Sequence, residues 1–255
     1  MFYERRGSAD PGAPAVLLLH GLGSSAADWA PQLAAFGARY RLLLPDLPGH
    51  WRSARPPGRL TVEGMAARVA ALLDDLGEPP AHVVGISLGA SVGLALALAA
   101  PGRVRSLTLI NAFARLAPPD AAGALRMALR LVLLATAPMT TVAALVARGL
   151  FPKPGQGDLY RAAVASLSRT QRRAYLASIG ALAAFDARAR LREIRCPTLV
   201  LAGDRDRTVG RDATEALARG IPGAGFVLVP DSGHATNHDQ PDLFNRAVLE
   251  FLASR

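Results

Sequence analysis

Ser87 lies in Val83-Val84-Gly85-Ile86-Ser87-Leu88-Gly89, with a glycine two residues to either side. The apolar residues before it read as a strand covered on both faces, and those after it as a helix. A serine in such a strand-to-helix turn can act as a nucleophile. The flanking glycines let strand and helix approach closely, and the helix N-terminus favours negative charge developing beside the hydroxyl. The plain alternative is a serine that only caps the helix. A serine nucleophile needs a base, and the base needs an acid to orient it. Three further loops follow apolar runs: His20-Gly21-Leu22-Gly23, Gly203-Asp204-Arg205-Asp206 and Ser232-Gly233-His234. Chain order offers Asp204 or Asp206 as the acid and His234 or His238 as the base. Of these, His234 is the expected base. Asp231 is too close in sequence to His234 to be its partner. Asn111 ends the strand after Ser87 and cannot serve as an acid. His20 is expected to buttress its glycine loop and His50 to hold its own turn, while His82 falls within a strand.

The elements that must position these residues alternate. Strands are expected at 15–19, 40–44, 82–86, 104–110, 198–202 and 226–229. A helix capped by Thr61 carries Val62, Met65, Ala66, Val69, Leu72 and Leu73 at helical spacing and stops at Gly77. Another runs from Leu88 to Ala100 and stops at Pro101. Helices near 211–219 and from Pro241 complete the pattern. Between residues 113 and 190 the alternation breaks, and only helical patterns appear, at 120–137, 139–149, 157–168 and 170–185. A parallel sheet in an α/β architecture, interrupted by a helical insertion, is the simplest arrangement. The loops at the carboxyl ends of its strands would share one edge, where sites form. The expected organisation is a core of residues 1–112 and 191–255 with a cap of 113–190.

Composition narrows the class. The chain has 255 residues, 51% of them hydrophobic, which supports a sizeable core. Its single cysteine, Cys196, excludes an internal disulfide and reads as simply buried. Residues 1–10 carry Glu4, Arg5, Arg6 and Asp10 and lack the apolar core of a signal peptide. The stretch Ala128 to Ala137 is interrupted by Arg130 and is too short to span a bilayer. A soluble cytoplasmic protein, monomeric or homodimeric, is the expectation. The net charge of +9 comes from scattered arginines, with Lys153 the only lysine. Without basic clusters and interleaved aromatics, neither nucleic acid nor membrane is an expected partner.

Taken together, the four motifs resemble the α/β-hydrolase fold with a helical cap, and the likeness runs almost end to end. The order serine, acid, histidine is the one such enzymes use. The resemblance implies a mostly parallel eight-stranded sheet flanked by helices, with the cap inserted after the sixth strand. It implies nucleophilic catalysis without metal or cofactor, on Ser87, Asp206 and His234. Asp206 is preferred over Asp204 because it matches the family's G-x-x-D position. Backbone N–H groups of Leu22 and Leu88 would form the oxyanion hole, each worth ~3–4 kcal/mol. One departure is visible. Asp46-Leu47-Pro48-Gly49-His50-Trp51-Arg52-Ser53 resembles the family's D-x-x-G-x-G-x-S turn, with Trp51 in place of the second glycine.

The expected activity is hydrolysis of small or medium carboxylic esters through an acyl-enzyme on Ser87. Enol-lactonase activity of the 3-oxoadipate type and carbon–carbon bond hydrolysis are alternatives on the same triad. A non-catalytic ligand receptor is the alternative from another class. Dehalogenase and typical epoxide hydrolase chemistry would need a carboxylate at position 87. Candidate pocket residues are Trp29, Met127, Leu131, Met139 and His238, with Trp29 more often a packing residue. The apolar cap residues favour an uncharged acyl or alcohol chain. Arg126 and Arg130, four apart, would share a helix face. Turned inward they would clamp a carboxylate; turned outward, the expected case, they are ordinary solvated arginines.

Overall fold

A computed structural model describes residues 1–118 and 120–255. The chain begins with strand β1 (Tyr3–Gly7), then β2 (Ala15–Leu19), helix α1 (Ala30–Gly37), β3 (Arg41–Pro45), α2 (Val62–Asp75), β4 (Ala81–Ile86), α3 (Leu88–Ala99) and β5 (Val104–Ile110). Four helices follow: α4 (Ala121–Thr136), α5 (Met139–Leu150), α6 (Gly157–Ser168) and α7 (Arg172–Ala184). The chain closes with β6 (Thr198–Gly203), α8 (Arg211–Gly220), β7 (Gly225–Val229), the short α9 (Thr236–Asp239) and α10 (Pro241–Ala253).

The sheet order is β1-β3-β2-β4-β5-β6-β7, and only β1 runs antiparallel. The implied count of eight strands is therefore corrected to seven, and the helical insertion follows the fifth strand rather than the sixth. No eighth strand covers the outer edge of β1 among the described residues. Glu4, Arg5 and Arg6 give that edge the charge that discourages further pairing. The same charges hid β1 from the sequence pattern, because it pairs with β3 through its backbone.

Alternation along the central strands buries both faces of the sheet. Leu17, Leu19, Val83, Leu107 and Leu109 pack with Met65, Val69 and Leu73 of α2 and Val92 and Leu96 of α3. Val16, Leu18, Val84, Ile86 and Ile110 face the other way, onto Phe36 of α1 and Phe244, Val248 and Leu252 of α10. Thr61 caps α2 by accepting from Gly64 N at 2.9 Å, and Gly77 ends it at φ 61°. In the insertion, Leu134, Val142, Ala143, Leu167 and Tyr175 form a separate small core that reaches Leu22 of the glycine loop. Its base is closed by a bridge between Arg115 and Asp186 and by Ala187 N donating to Ala114 O at 2.8 Å.

His50 and His82, like His20, are fully buried among these layers. His82, within β4, accepts or donates at 2.7 Å with Ser106 Oγ, and burial lowers its pKa to about 4. His50 lies edge-on to His20 at 5.1 Å, and burial, aided by His20, lowers its pKa to about 3. A depressed histidine keeps the folded state neutral while the unfolded chain takes up a proton. Stability is therefore intact above ~6.5 and is lost as pH falls toward the folded value, each such histidine costing ~1.4 kcal/mol per pH unit within the window. Urea unfolding of the wild type should weaken steadily between pH 6.5 and 4. His50→Gln should flatten that decline; an unchanged slope would show that His50 does not govern it.

Candidate active site

The site is built at the carboxyl edge of the sheet, around the turn from β4 to α3. Gly85 and Gly89 are required by contact rather than by flexibility. A Cβ on Gly85 would lie 2.4 Å from Gly89 O, and one on Gly89 would lie 2.1 Å from Leu19 O. Between them, Ser87 adopts φ 54° and ψ −112°, a strained conformation for a residue with a side chain. Its hydroxyl makes no capping bond to α3, so the plain capping alternative fails. Its backbone is tied down: N donates to Ile110 O and O accepts from Ser91 N, each at 3.0 Å.

Asp206 and His234 meet directly, with Oδ2 2.7 Å from Nδ1. The other Asp206 oxygen accepts from Thr208 N at 2.7 Å and Val209 N at 3.1 Å, so the carboxylate is fixed at both ends. With Nδ1 donating to a carboxylate, Nε2 of His234 is the nitrogen left to take a proton. Asp204 is occupied differently. It is exposed, and its Oδ1 accepts from Ser232 N at 3.0 Å, stabilising the loop that carries the histidine. No hydrogen bond joins Ser87 Oγ to His234 among the described residues. The two are linked through the backbone of Ile110 and the side chain of Asn111.

Asn111 is the residue that sequence reasoning passed over. It takes φ 46° at the end of β5 and is fully buried. Its Nδ2 donates to His234 O at 2.7 Å and Thr236 Oγ1 at 2.8 Å, and its Oδ1 accepts from Gly203 N at 2.9 Å. One amide thus joins the end of β6, which carries Asp206, to the loop that carries His234. The signal was available: a polar residue at a strand's carboxyl end can organise neighbouring loops without ionising.

The glycine loop lies over the elbow. A Cβ on Gly21 would be 3.9 Å from Ser87 Cβ. Leu88 is the first residue of α3, so its N–H has no intrahelical acceptor. The Leu22 N–H likewise makes no hydrogen bond among the described residues. His20 sets the loop: its Nε2 accepts from Leu47 N at 2.9 Å, and Nδ1 donates to Gly21 O at 2.8 Å. That tautomer is neutral, and burial lowers the His20 pKa. Asp46 accepts from Ala26 N at 2.9 Å and from Arg52 Nε at 2.7 Å, joining the loop to the following turn. In that turn Trp51 adopts φ 41°, so it keeps the left-handed conformation that the missing glycine would favour. Its exposed ring receives Arg169 of the insertion at 4.7 Å.

The pocket candidates separate. Trp29 is corrected: it is buried against Phe244 in the layer beneath α10 and serves packing. Leu131 is corrected too, because it is 43% exposed, off the inner row of α4. Met139 packs on the insertion's own small core. Met127 is half-buried on the inner side of α4. His238 is half-buried and edge-on to Phe151 at 6.2 Å. The two arginines do not behave alike. Gly123, Met127, Arg130 and Leu134 form the inner row of α4, at spacings of four, three and four. Arg126 lies off that row and donates to Arg207 O at 2.8 Å. Arg130 turns inward, which overturns the expected outward placement. Among the described residues no cluster of side chains could hold a metal ion. No helix among them is long and apolar enough to cross a membrane.

The fold and this edge of the sheet define a hydrolase of the α/β type. Residues 16–247 match the Alpha/beta hydrolase family, and the chain belongs to it. It is 37% identical to "Putative carbamate hydrolase RutD" of Azorhizobium caulinodans, over 98% of this chain and 94% of that protein. It is 38% identical to the protein of the same description from Variovorax paradoxus, over 99% and 96%. Among solved structures, the enol-lactonase of Burkholderia xenovorans LB400 superposes with a TM-score of 0.91 at 29% identity, covering 99% of this chain and 96% of that one.

Replacing Asp206 by Asn should lower kcat by ~10⁴, since the imidazole loses its orienting carboxylate. Asp204→Asn should cost far less, and the reverse ranking would move the acid to Asp204. Asn111→Ala leaves buried groups unpaired at ~1–3 kcal/mol each, so the melting temperature should drop by at least ~5 °C. An unchanged melting temperature would remove Asn111 from its place as the joint between the two loops.

Proposed function

We propose that the protein is a serine hydrolase that cleaves small or medium carboxylic esters through an acyl-enzyme on Ser87. The observation that carries this reading is the Asp206–His234 pair at the same carboxyl edge of the sheet as a serine held at positive φ. His234 takes the Ser87 proton as the oxygen attacks the carbonyl. The oxyanion forms between the Leu22 and Leu88 N–H groups, where α3 also presents its positive end. His234 then protonates the departing alcohol. Water, activated by the same nitrogen, releases the acid. Asp206 keeps the imidazole oriented and stabilises its cation without taking the proton. Lactones are esters of the same chemistry, and the likeness to the Burkholderia enol-lactonase supports including them.

A second reading is favoured by the sequence relatives. Several proteins described as carbamate hydrolase match this chain nearly end to end, which supports a carbamate carbonyl at the same site. Serine attack on a carbamate ester leaves a carbamoyl-enzyme, whose carbonyl is less electrophilic than an acyl group because nitrogen donates into it. Its slow hydrolysis would appear as a burst followed by a low steady rate.

A panel of p-nitrophenyl esters, lactones, ring-cleavage products and carbamates separates these readings. Rapid steady turnover of esters without a burst is expected. Efficient turnover of carbamates, with poor turnover of esters, would favour the second reading. Ser87→Ala should lower kcat by ~10⁶ while the fold is retained. A fluorophosphonate should label Ser87, and labelling elsewhere or full activity in the variant would overturn the mechanism.

A further inference from the structure

Arg130 has an unusual environment for this chain. Its guanidinium is drawn under α4, where it donates to the Tyr175 hydroxyl and stands 4.8 Å from the centre of the Tyr175 ring. Its Nε is buried without a hydrogen-bond partner. Two other arginines with partly buried side chains have carboxylates, Arg52 with Asp46 at 2.7 Å and Arg41 with Glu78 at 2.8 Å, while half-buried Arg172 has the Ala137 carbonyl. No carboxylate pairs with Arg130 among the described residues. A buried cation costs free energy unless it is paired, and one phenol with its ring face compensates only in part. The site is therefore short of one anion.

Its location says which anion. Tyr175 is fully buried, and a Cβ on Gly23 would come within 2.7 Å of its ring. Thr170 Oγ1, five residues before Tyr175, donates to Gly23 O at 3.0 Å. Leu22, whose N–H faces the elbow in the reading above, packs in the same small core as Tyr175. Arg130 thus lies one side chain beyond the loop that covers Ser87. Burial lowers its pKa to about 10, which still leaves it cationic at neutral pH.

We propose that Arg130, supported by Tyr175, is a binding site for a carboxylate on the part of the substrate that is not cleaved. The inference rests on the reading of Ser87 as an acyl-transfer nucleophile. The substrates are then half-esters, carboxylated lactones or carbamates bearing a second acidic group. The guanidinium fork receives the carboxylate, and its attraction orients the scissile carbonyl toward Ser87. This replaces the uncharged chain that the apolar cap residues alone suggested.

The test compares monomethyl glutarate with methyl valerate, which differ chiefly in the terminal carboxylate. The wild type should favour the half-ester in kcat/KM by at least ~10-fold, and Arg130→Gln should bring that preference down to about 1. Arg130→Lys should restore part of it, because the charge returns without the fork. Binding is read separately by titrating glutarate, and glutaramide as the neutral control, into Ser87→Ala by calorimetry. Glutarate should bind, and adding Arg130→Gln should abolish the heat; glutaramide should not bind. Failure of Ser87 labelling would sink the acyl-enzyme reading, while the glutarate titration still decides the subsite. No preference in the wild type, or glutarate binding that ignores residue 130, would overturn the proposal. The wild-type comparison and the lysine variant keep it testable should Arg130→Gln not fold.

Discussion

The structure depends on one close approach. The first turn of α3 passes so near the ends of β2 and β4 that positions 85 and 89 have no room for a Cβ. That approach places the open N–H of Leu88 beside Ser87 and forces the serine to positive φ. A strained residue persists only where its surroundings over-determine it. Here they do: Ile110 O holds Ser87 N, α3 begins on its carbonyl, and Gly21 lies above its Cβ. α3, buried from Leu88 to Ala97, and the two-faced sheet are the means by which that strain is held.

A second constraint brings the rest of the site to the first. Asp206 and His234 come from different strand ends and must meet within hydrogen-bond distance. Asn111 spans the gap at the next strand. Its amide can donate and accept together, so it binds the Gly203 N–H on one side and the His234 carbonyl on the other. A carboxylate there would lack the donor and would place a second charge near Asp206. Gly203 and Ser232 add to the joint, since a Cβ at 203 would fall 2.4 Å from Ser232 O.

What the sequence disclosed follows from the range of the forces involved. The central strands and α2 could be read because burial repeats along them with a local period, and the Thr61 cap and Gly77 stop are local chemistry. The elbow was legible for the same reason, as two glycines and a serine within five residues. β1 was not, because a charged edge strand is specified by pairing with β3. Asn111 was set aside because a role as joint depends on three segments that meet only in the folded chain. Arg130 was misplaced because it was expected to share one solvated face with Arg126. Residues four apart differ by about 40° around a helix, enough to put Arg126 at the rim of α4 and Arg130 on its inner row.

The insertion is fastened in several places to the edge of the sheet that carries Ser87, and three of these fastenings differ in their chemistry. Beside the glycine loop the contact is apolar, with Tyr175 and Leu167 against Gly23. Over the turn after β3 it is a cation on an aromatic face, Arg169 on Trp51. Near the histidine it is ionic: Lys153 pairs with Asp239 at 2.9 Å, and the same carboxylate accepts from Gly233 N at 2.7 Å. Asp239 is almost wholly buried, so its two oxygens are committed at once to the insertion and to the residue before His234. Movement of the segment around Lys153 would pull on that carboxylate and so on the histidine loop. The apolar contact resists separation without fixing direction, whereas the ionic one fixes direction over a short range. Together they hold the inner row of α4 against the small core that reaches the glycine loop, while the outer row, with Leu125 and Val132, stays in solvent. A single-residue change on that inner row therefore meets the small core and, through Leu22, the glycine loop, whereas the same change one position along the helix faces solvent.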